Sequence, residues 1–323
     1  MVNPPDESTL TFNVVWTGDV FTYLQHFVSS QLAWSRARFR FVANGCPPDQ
    51  VAAMEAYRTR HPERVVEVLD VSPEIMVAHG VALDRVRAIR DDGDHFCLID
   101  PDIKANGPWL GEFCSLLADH AAVTSGREVW SSTNVLPEGH PGVPGEVFFD
   151  RSGFTFGSPH LALYRRAELD AVTERWGVGI GSAGPELRPE ATEALASQGH
   201  RFMVYDTGKI VNCLIQHDGH ALVHRDLPQL VHIGGLSHYL SPPAYRTTDT
   251  GEIEPDWTVH DVMAARHAVT RFTAQTLRAL ADGHPPPPVP TGLDPDMAAR
   301  LDLVHHEITD LMACYGPHGA VGG

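Results

Sequence analysis

Short apolar runs separated by amphipathic stretches set the pattern of the first hundred residues. TFNVVWT (11–17) is apolar enough for a buried strand, and Gly18-Asp19 then turn the chain. Val20, Tyr23, Leu24, Phe27, Val28 and Leu32 recur at helical spacing. FRFVANG (39–45) predicts a second strand ending at the turn Asn44-Gly45, followed by a helix over 48–60. RVVEVLDV (64–71) predicts a third strand, and 75–90 a helix running up to the turn DDGD (91–94). HFCLIDPDI (95–103) carries the fourth strand, whose apolar run Phe96 to Ile99 ends in Asp100-Pro101-Asp102. Strand and helix alternating at this short spacing predict an α/β fold with a parallel, doubly wound sheet.

The middle of the chain is less regular. Residues 108–120 predict a helix, AAVTSG (121–126) a strand, and FTFGSPHLALYRR (154–166) strand, turn and strand. Between them, 131–153 are rich in Gly, Pro and charge, which predicts a long loop of the kind that often serves a site. Helices are expected around 167–176 and 187–199, a strand and turn over RFMVYDTGKI (201–210), and a further helix over 209–218. LVHIGGLSHYL (230–240) is an apolar strand running into a glycine pair flanked by histidines. The chain then changes character. Residues 241–256 are polar and contain proline, 258–282 predict an amphipathic helix, and HPPPPVP (284–290) a stiff extended linker. The last helix, 294–315, puts Met297, Leu301, Val304, Ile308, Leu311 and Tyr315 on one stripe. A single stripe ordinarily packs on its own domain; a homodimer contact through this helix is the sharper alternative.

Composition narrows the class. With 323 residues the chain holds one large α/β domain with additions, or two domains, and 43% apolar residues supply a sizeable core. A net charge of −17 argues against nonspecific nucleic-acid binding and against a polybasic membrane site, while leaving room for a phosphate held by a metal. Five cysteines without a C-x-x-C pair point to reduced thiols in a cytoplasmic protein and to no zinc knuckle. The start, MVNPPDESTL, has no signal-peptide pattern, and no apolar run reaches the ~18 residues of a membrane span. Neither G-x-G-x-x-G nor G-x-x-x-x-G-K-[ST] follows the first strand, which speaks against a dinucleotide fold and a P-loop ATPase.

The chemistry begins at Asp100 and Asp102. Two carboxylates at the carboxyl end of a parallel strand stand where α/β sheets bind ligands, and their hard oxygens suit a divalent cation. Asp-x-Asp also occurs at Asp92-Gly93-Asp94 and Asp294-Pro295-Asp296, but neither follows an apolar strand.

An apolar strand followed by D-x-D resembles the GT-A nucleotide-sugar glycosyltransferases. His79-Gly80-Val81-Ala82-Leu83-Asp84 resembles the helix those enzymes place beside the donor sugar, and His232-Ile233-Gly234-Gly235-Leu236-Ser237-His238 resembles the H-x-x-G-x-x-K motif of the glycogenin-like, retaining branch. The departure is His238 where that motif has lysine. The resemblance covers residues 11–240 and implies a GT-A-like, mostly parallel central sheet flanked by helices. It divides the chain into a nucleotide-sugar-binding catalytic domain (1–240) and a C-terminal helical extension (241–323).

The resemblance further implies a glycosyltransferase acting on a nucleotide-diphosphate sugar, UDP-sugar first, with Mn²⁺ or Mg²⁺ held by Asp100, Asp102 and His232. Gly234 and Gly235 would let the backbone approach the diphosphate, and His238 would be a second phosphate donor. Thr17 and Asp70, at the ends of the first and third strands, are placed for the nucleotide, and His79, Asp84 and Arg85 for the donor sugar. For Thr17 and Asp70 a structural role fits equally well. A catalytic base, if the reaction inverts, is open among Glu146, Asp150, Glu186 and Asp206. Tyr164, Trp176 and His160 are candidates for the acceptor side, or for plain packing. The acceptor itself, small molecule or glycan, is not specified. Two other readings use the same residues: a sugar nucleotidyltransferase, against which the acidic, aromatic TGDVFTYL after the first strand counts, and a non-catalytic relative that binds nucleotide or carbohydrate.

Overall fold

Strand β1 (Thr11–Thr17) lies inside a seven-stranded sheet of order β3-β2-β1-β4-β7-β6-β8. The structure, a computed structural model, describes residues 3–131, 157, 160–199, 205–237, 246–247, 253–254 and 261–317. β1, β2 (Arg38–Asn44), β3 (Val65–Ser72) and β4 (His95–Ile99) run parallel to one another, as the strand–helix alternation predicts. β7 (Leu161–Arg165) breaks the pattern, lying antiparallel to both β4 and β6 (Ala122–Ser125), and β8 (Leu222–His224) closes the edge parallel to β6. The sheet is mostly parallel with helices on both faces.

Alternation along β1 explains the two layers. Phe12, Val14 and Trp16 point into one apolar cluster with helices α1 (Phe21–Ala33), α2 (Pro48–Arg60) and α4 (Leu110–Leu117). Val15 points into the other, with α3 (His79–Ile89), α5 (Arg166–Trp176), α6 (Pro189–Ser197) and α7 (Lys209–His217). β4, buried on both faces, divides its residues likewise: Cys97 and Ile99 to the first, Phe96 and Leu98 to the second.

α3 begins at His79, four residues later than the sequence suggests. The side chain of Asn44 takes both the N–H and the carbonyl of Val77, at 2.9 and 2.8 Å, and holds the preceding segment out of the helix. Two three-residue strands, β5 (Ile103–Ala105) and β8, and the two-residue pair β10 (Arg246–Thr247) and β11 (Ile253–Glu254) are not foreseen. Of the strand and turn expected over 201–210, residues 201–204 lie outside the described residues, and Tyr205–Gly208 form the turn into α7. The strand expected before Gly157 and the loop 131–153, beyond Ser131, lie outside the described residues.

The C-terminal helices α8 (Asp261–Ala281) and α9 (Pro295–Tyr315) pack on the first layer. α9 starts as its sequence dictates, with Asp294 accepting the Met297 N–H at 3.0 Å and Pro295 in the first turn. Leu301, Val304, Ile308 and Leu311 of its stripe are buried in the same cluster as Phe12 and Phe27, and His26 Nδ1 donates to the Tyr315 carbonyl at 2.7 Å. The centre of the stripe is thus buried within its own chain. All five cysteines are free, and no described helix is long and apolar enough to cross a membrane.

Candidate metal centre

Four chain segments meet at the carboxyl end of β4. Register does the work. Ile99 pairs with Leu161, so the Asp100 N–H donates to the His160 carbonyl at 2.6 Å and the two residues face each other beyond the strand ends. Ser125 also pairs with Leu161, which brings Gly126 alongside His160. β5, directly after Asp102, pairs antiparallel with β9 (Leu230–His232), and Ile103 opposite His232 brings the D-x-D and H-x-x-G stretches together. A bridge between Glu128 and His232 adds the fourth segment.

The side chains converge accordingly. One donor atom each of Asp100, His160 and His232 lie within 4.8 Å of one another. His160 Nδ1 is 2.9 Å from Asp100 Oδ2, and His232 Nε2 is 3.7 Å from the same oxygen and 3.1 Å from Asp102 Oδ1. Asp102 is buried; its other oxygen accepts the Leu236 N–H at 3.1 Å. His232 Nδ1 donates to the Gly126 carbonyl at 2.6 Å. Glu128, also buried, brings Oε1 to 2.7 Å from His160 Nε2, off the line of a good hydrogen bond, and its Oε2 has no hydrogen-bond partner among the described residues. His79 stands at the open side, Nε2 3.8 Å from Asp100 Oδ1.

Charge is concentrated here. Burial would lower the pKa of both imidazoles, but Glu128 and Asp100 raise that of His160 well above the usual histidine range, and Asp102 raises that of His232. Burial would likewise raise Asp102 and Glu128; His232 with the Leu236 amide holds the first below the usual carboxylate range, and His160 holds the second. The imidazoles answer part of the charge of the three carboxylates, and this carboxylate–imidazole set, with one buried oxygen that has no hydrogen-bond partner among the described residues, is a donor set that fits a divalent metal.

Of the remaining predicted residues, few enter this cluster. Thr17 is half-buried at the end of β1, in register with Asn44. Asp70 is exposed at the end of β3, accepting the Ser72 N–H at 3.2 Å, and Arg85 is exposed and donates to the Val71 carbonyl at 2.7 Å. Asp84 accepts the N–H groups of Ile180 and Gly181 at 2.9 and 2.8 Å, which pins α3 to the loop after α5. Gly234 and Gly235 have φ near +80°, as glycine permits, and side chains of Glu128 and Arg266 fill the space beside them. Glu186 is exposed and accepts the Ala183 N–H at 2.7 Å; burial would raise its pKa, but backbone amides and Ser182 bring it below the ordinary value. Asp206 accepts the Thr207 N–H at 2.8 Å just before α7. His238, Glu146 and Asp150 lie outside the described residues. Tyr164 is fully buried and donates to Asn212 at 2.8 Å, and Trp176 donates to Asp218 at 3.0 Å; the first packs within the second apolar cluster and the other against it, while His160 stands beside Asp100 and His232 in the group that could hold a metal.

Glu128 is the residue that sequence reading misses, because nothing in REVW (127–130) marks a buried carboxylate. A cavity of about 370 Å³ borders the same segment, lined among others by Gly126, Glu128, Leu230, Arg300 and Leu303, so α9 forms part of its wall.

The approach of α3 to the cluster depends on Gly80. A Cβ there would stand 2.6 Å from Gly181 Cα and 2.8 Å from the Ile180 carbonyl oxygen, both backbone. Gly80→Ala is therefore expected to cost about 1–3 kcal/mol of stability. It should also displace the adjacent His79. A lowered urea midpoint checks this; an unchanged midpoint would mean the two backbones separate freely.

No family model and no curated protein matches the chain. Among solved structures, the galactosyltransferase LgtC in complex with donor and acceptor sugar analogues is similar at 14% identity over 81% of this chain and 95% of that one, with a TM-score of 0.46. The mannosyltransferase PcManGT from Pyrobaculum calidifontis, in complex with GDP-Man and Mn²⁺, is similar at 13% identity over 99% and 79%, with a TM-score of 0.43. S. aureus TarS (residues 1–349) is similar at 14% identity over 95% and 72%, with a TM-score of 0.40.

Proposed function

We propose that the chain is a metal-dependent glycosyltransferase that moves a sugar from a nucleoside diphosphate sugar, UDP-sugar first, to a hydroxyl acceptor. One observation carries this reading: Asp102 and His232, separated by 130 positions, meet at 3.1 Å beside Asp100 at the carboxyl end of the parallel strands. That is the juxtaposition the D-x-D and H-x-x-G motifs require. Asp100, Asp102 and His232 would hold Mn²⁺ or Mg²⁺ there, and the ion would supply the positive charge that makes a nucleoside diphosphate a competent leaving group.

In this reading residues 1–240 bind the donor and 241–323 form the helical extension. Thr17 and Asp70 face the nucleotide at the strand ends. His79 lies between the helix start and Asp100, placed for the donor sugar or its phosphate. Asp84 and Arg85 act on the donor side indirectly, through the loops their side chains hold. Of the two described base candidates, Glu186 is the weaker, since its lowered pKa opposes taking up a proton.

Calorimetric titration with UDP, GDP and dTDP, first with Mn²⁺ and then with chelator, tests the proposal. One nucleotide should bind tightly with metal and lose that binding with chelator. Nucleotide binding indifferent to chelator, or no binding of any of the three, would overturn the metal–diphosphate assignment.

A further inference from the structure

We propose that His160 is itself a ligand of the metal, so that the ion meets two imidazoles as well as carboxylate oxygen, and that this donor set selects Mn²⁺ and Co²⁺ over Mg²⁺. The inference rests on the reading of Asp100 and His232 as metal ligands; it adds a residue from a different strand and a consequence for which metal is taken.

The protein holds the outward nitrogens of the two rings and turns the inward ones together. The Gly126 carbonyl only accepts, so the 2.6 Å contact places a proton on His232 Nδ1, while Nε2 faces Asp100 and Asp102. Glu128 Oε1 lies 2.7 Å from His160 Nε2, and the Nδ1 of that ring faces Asp100, 2.9 Å away. Both rings thus turn one nitrogen toward the same carboxylate, with ring centroids 4.6 Å apart. A divalent cation would displace the protons those nitrogens share with the carboxylates and take up their lone pairs. Each imidazole also has the outer acceptor that metal-bound histidines ordinarily have, a carbonyl for His232 and a carboxylate for His160.

Two further observations show a built site. Glu128 is 3% exposed, yet its Oε2 has no hydrogen-bond partner among the described residues, an arrangement that a nearby cation would offset. Gly126 leaves the room that His160 occupies: a Cβ there would stand 2.9 Å from His160 Cβ, and its φ of +100° suits glycine alone. Mg²⁺ demands oxygen ligands and dehydrates reluctantly, whereas imidazole nitrogen favours the later first-row ions in the order Mn²⁺ below Co²⁺.

The test uses the metal alone, with no nucleotide, on the full chain. Titration should show Co²⁺ binding tighter than Mn²⁺, and Mn²⁺ at least roughly tenfold tighter than Mg²⁺. His160→Ala should weaken Mn²⁺ by more than roughly tenfold and shrink the gap to Mg²⁺, and Glu128→Gln should weaken it by roughly tenfold. Proton NMR of the Co²⁺-loaded protein should show two strongly shifted, exchangeable imidazole N–H signals, one of them lost in His160→Ala. If Asp100→Asn abolishes Mn²⁺ binding while His160→Ala binds as wild type, His160 is no ligand and the inference fails alone. If both variants bind as wild type, the metal centre itself is misassigned. Should His160→Ala not fold, the wild-type spectrum decides, and a single shifted N–H signal overturns the proposal.

Discussion

Replacing Asp100 by Asn should abolish metal-dependent nucleotide binding and cut sugar transfer by at least about 10³-fold, the order expected when several kcal/mol of charge stabilisation is withdrawn. The fold should survive. Asp100 is half-buried, follows β4 without belonging to it, and is held by its own backbone N–H to His160, which the substitution leaves intact. Its carboxylate is the common neighbour of His79, His160 and His232. Removing that charge leaves the imidazoles with no shared anion, so metal affinity goes first. Asp102→Ala is a harsher change. It also strips the Leu236 N–H of its acceptor, a buried loss of about 1–3 kcal/mol, so part of its effect will be structural. A chelator titration of nucleotide binding, run beside thermal unfolding of both variants, separates the two. Transfer by Asp100→Asn at the wild-type rate would remove Asp100 from the site.

Much of this site is legible in the chain, and the rest has a physical reason for being hidden. Asp100 and Asp102 declare themselves because an apolar run stops abruptly at two charges. Their meeting with His232 follows only from the motif resemblance, since the ladder that joins them, β5 with β9, is three residues on each side and too short for period-two alternation to register. His160, one of nineteen histidines, is legible only as a candidate for the acceptor side or for packing, not as a neighbour of Asp100. What singles it out is the reversed direction of β7, and strand direction leaves no mark on composition. Glu128 and Lys104 read as solvated charges, because a buried charge announces itself only through partners distant in sequence. The parallel strands β1 to β4 are the converse case: burial on both faces forces continuous apolar runs, and those are what the eye finds.

Lys104 shows how the C-terminal helix reaches the site, and its removal should be strongly destabilising. Its side chain is 2% exposed, and Nζ donates to Glu307 Oε2 and Asp310 Oδ2, both at 2.7 Å. Asn106 Nδ2 donates to the same Glu307 oxygen at 2.8 Å. Lys104→Ala leaves the largely buried Glu307 carboxylate without its cation, which costs about 3–5 kcal/mol, because the penalty is that of an uncompensated charge and not of a lost contact. The double change Lys104→Met with Glu307→Leu removes both charges and fills the space with apolar atoms, so it should be more stable than Lys104→Ala alone. Urea unfolding of the two variants makes the comparison. A loss below about 1 kcal/mol for Lys104→Ala would show that Asp310, half-exposed, already carries the pair as an ordinary surface contact. The position gives the result a functional edge. Lys104 sits in β5 next to Ile103, whose pairing with His232 brings the proposed metal ligands together, so releasing α9 should also weaken metal binding. The double variant, with β5 again covered, should recover it.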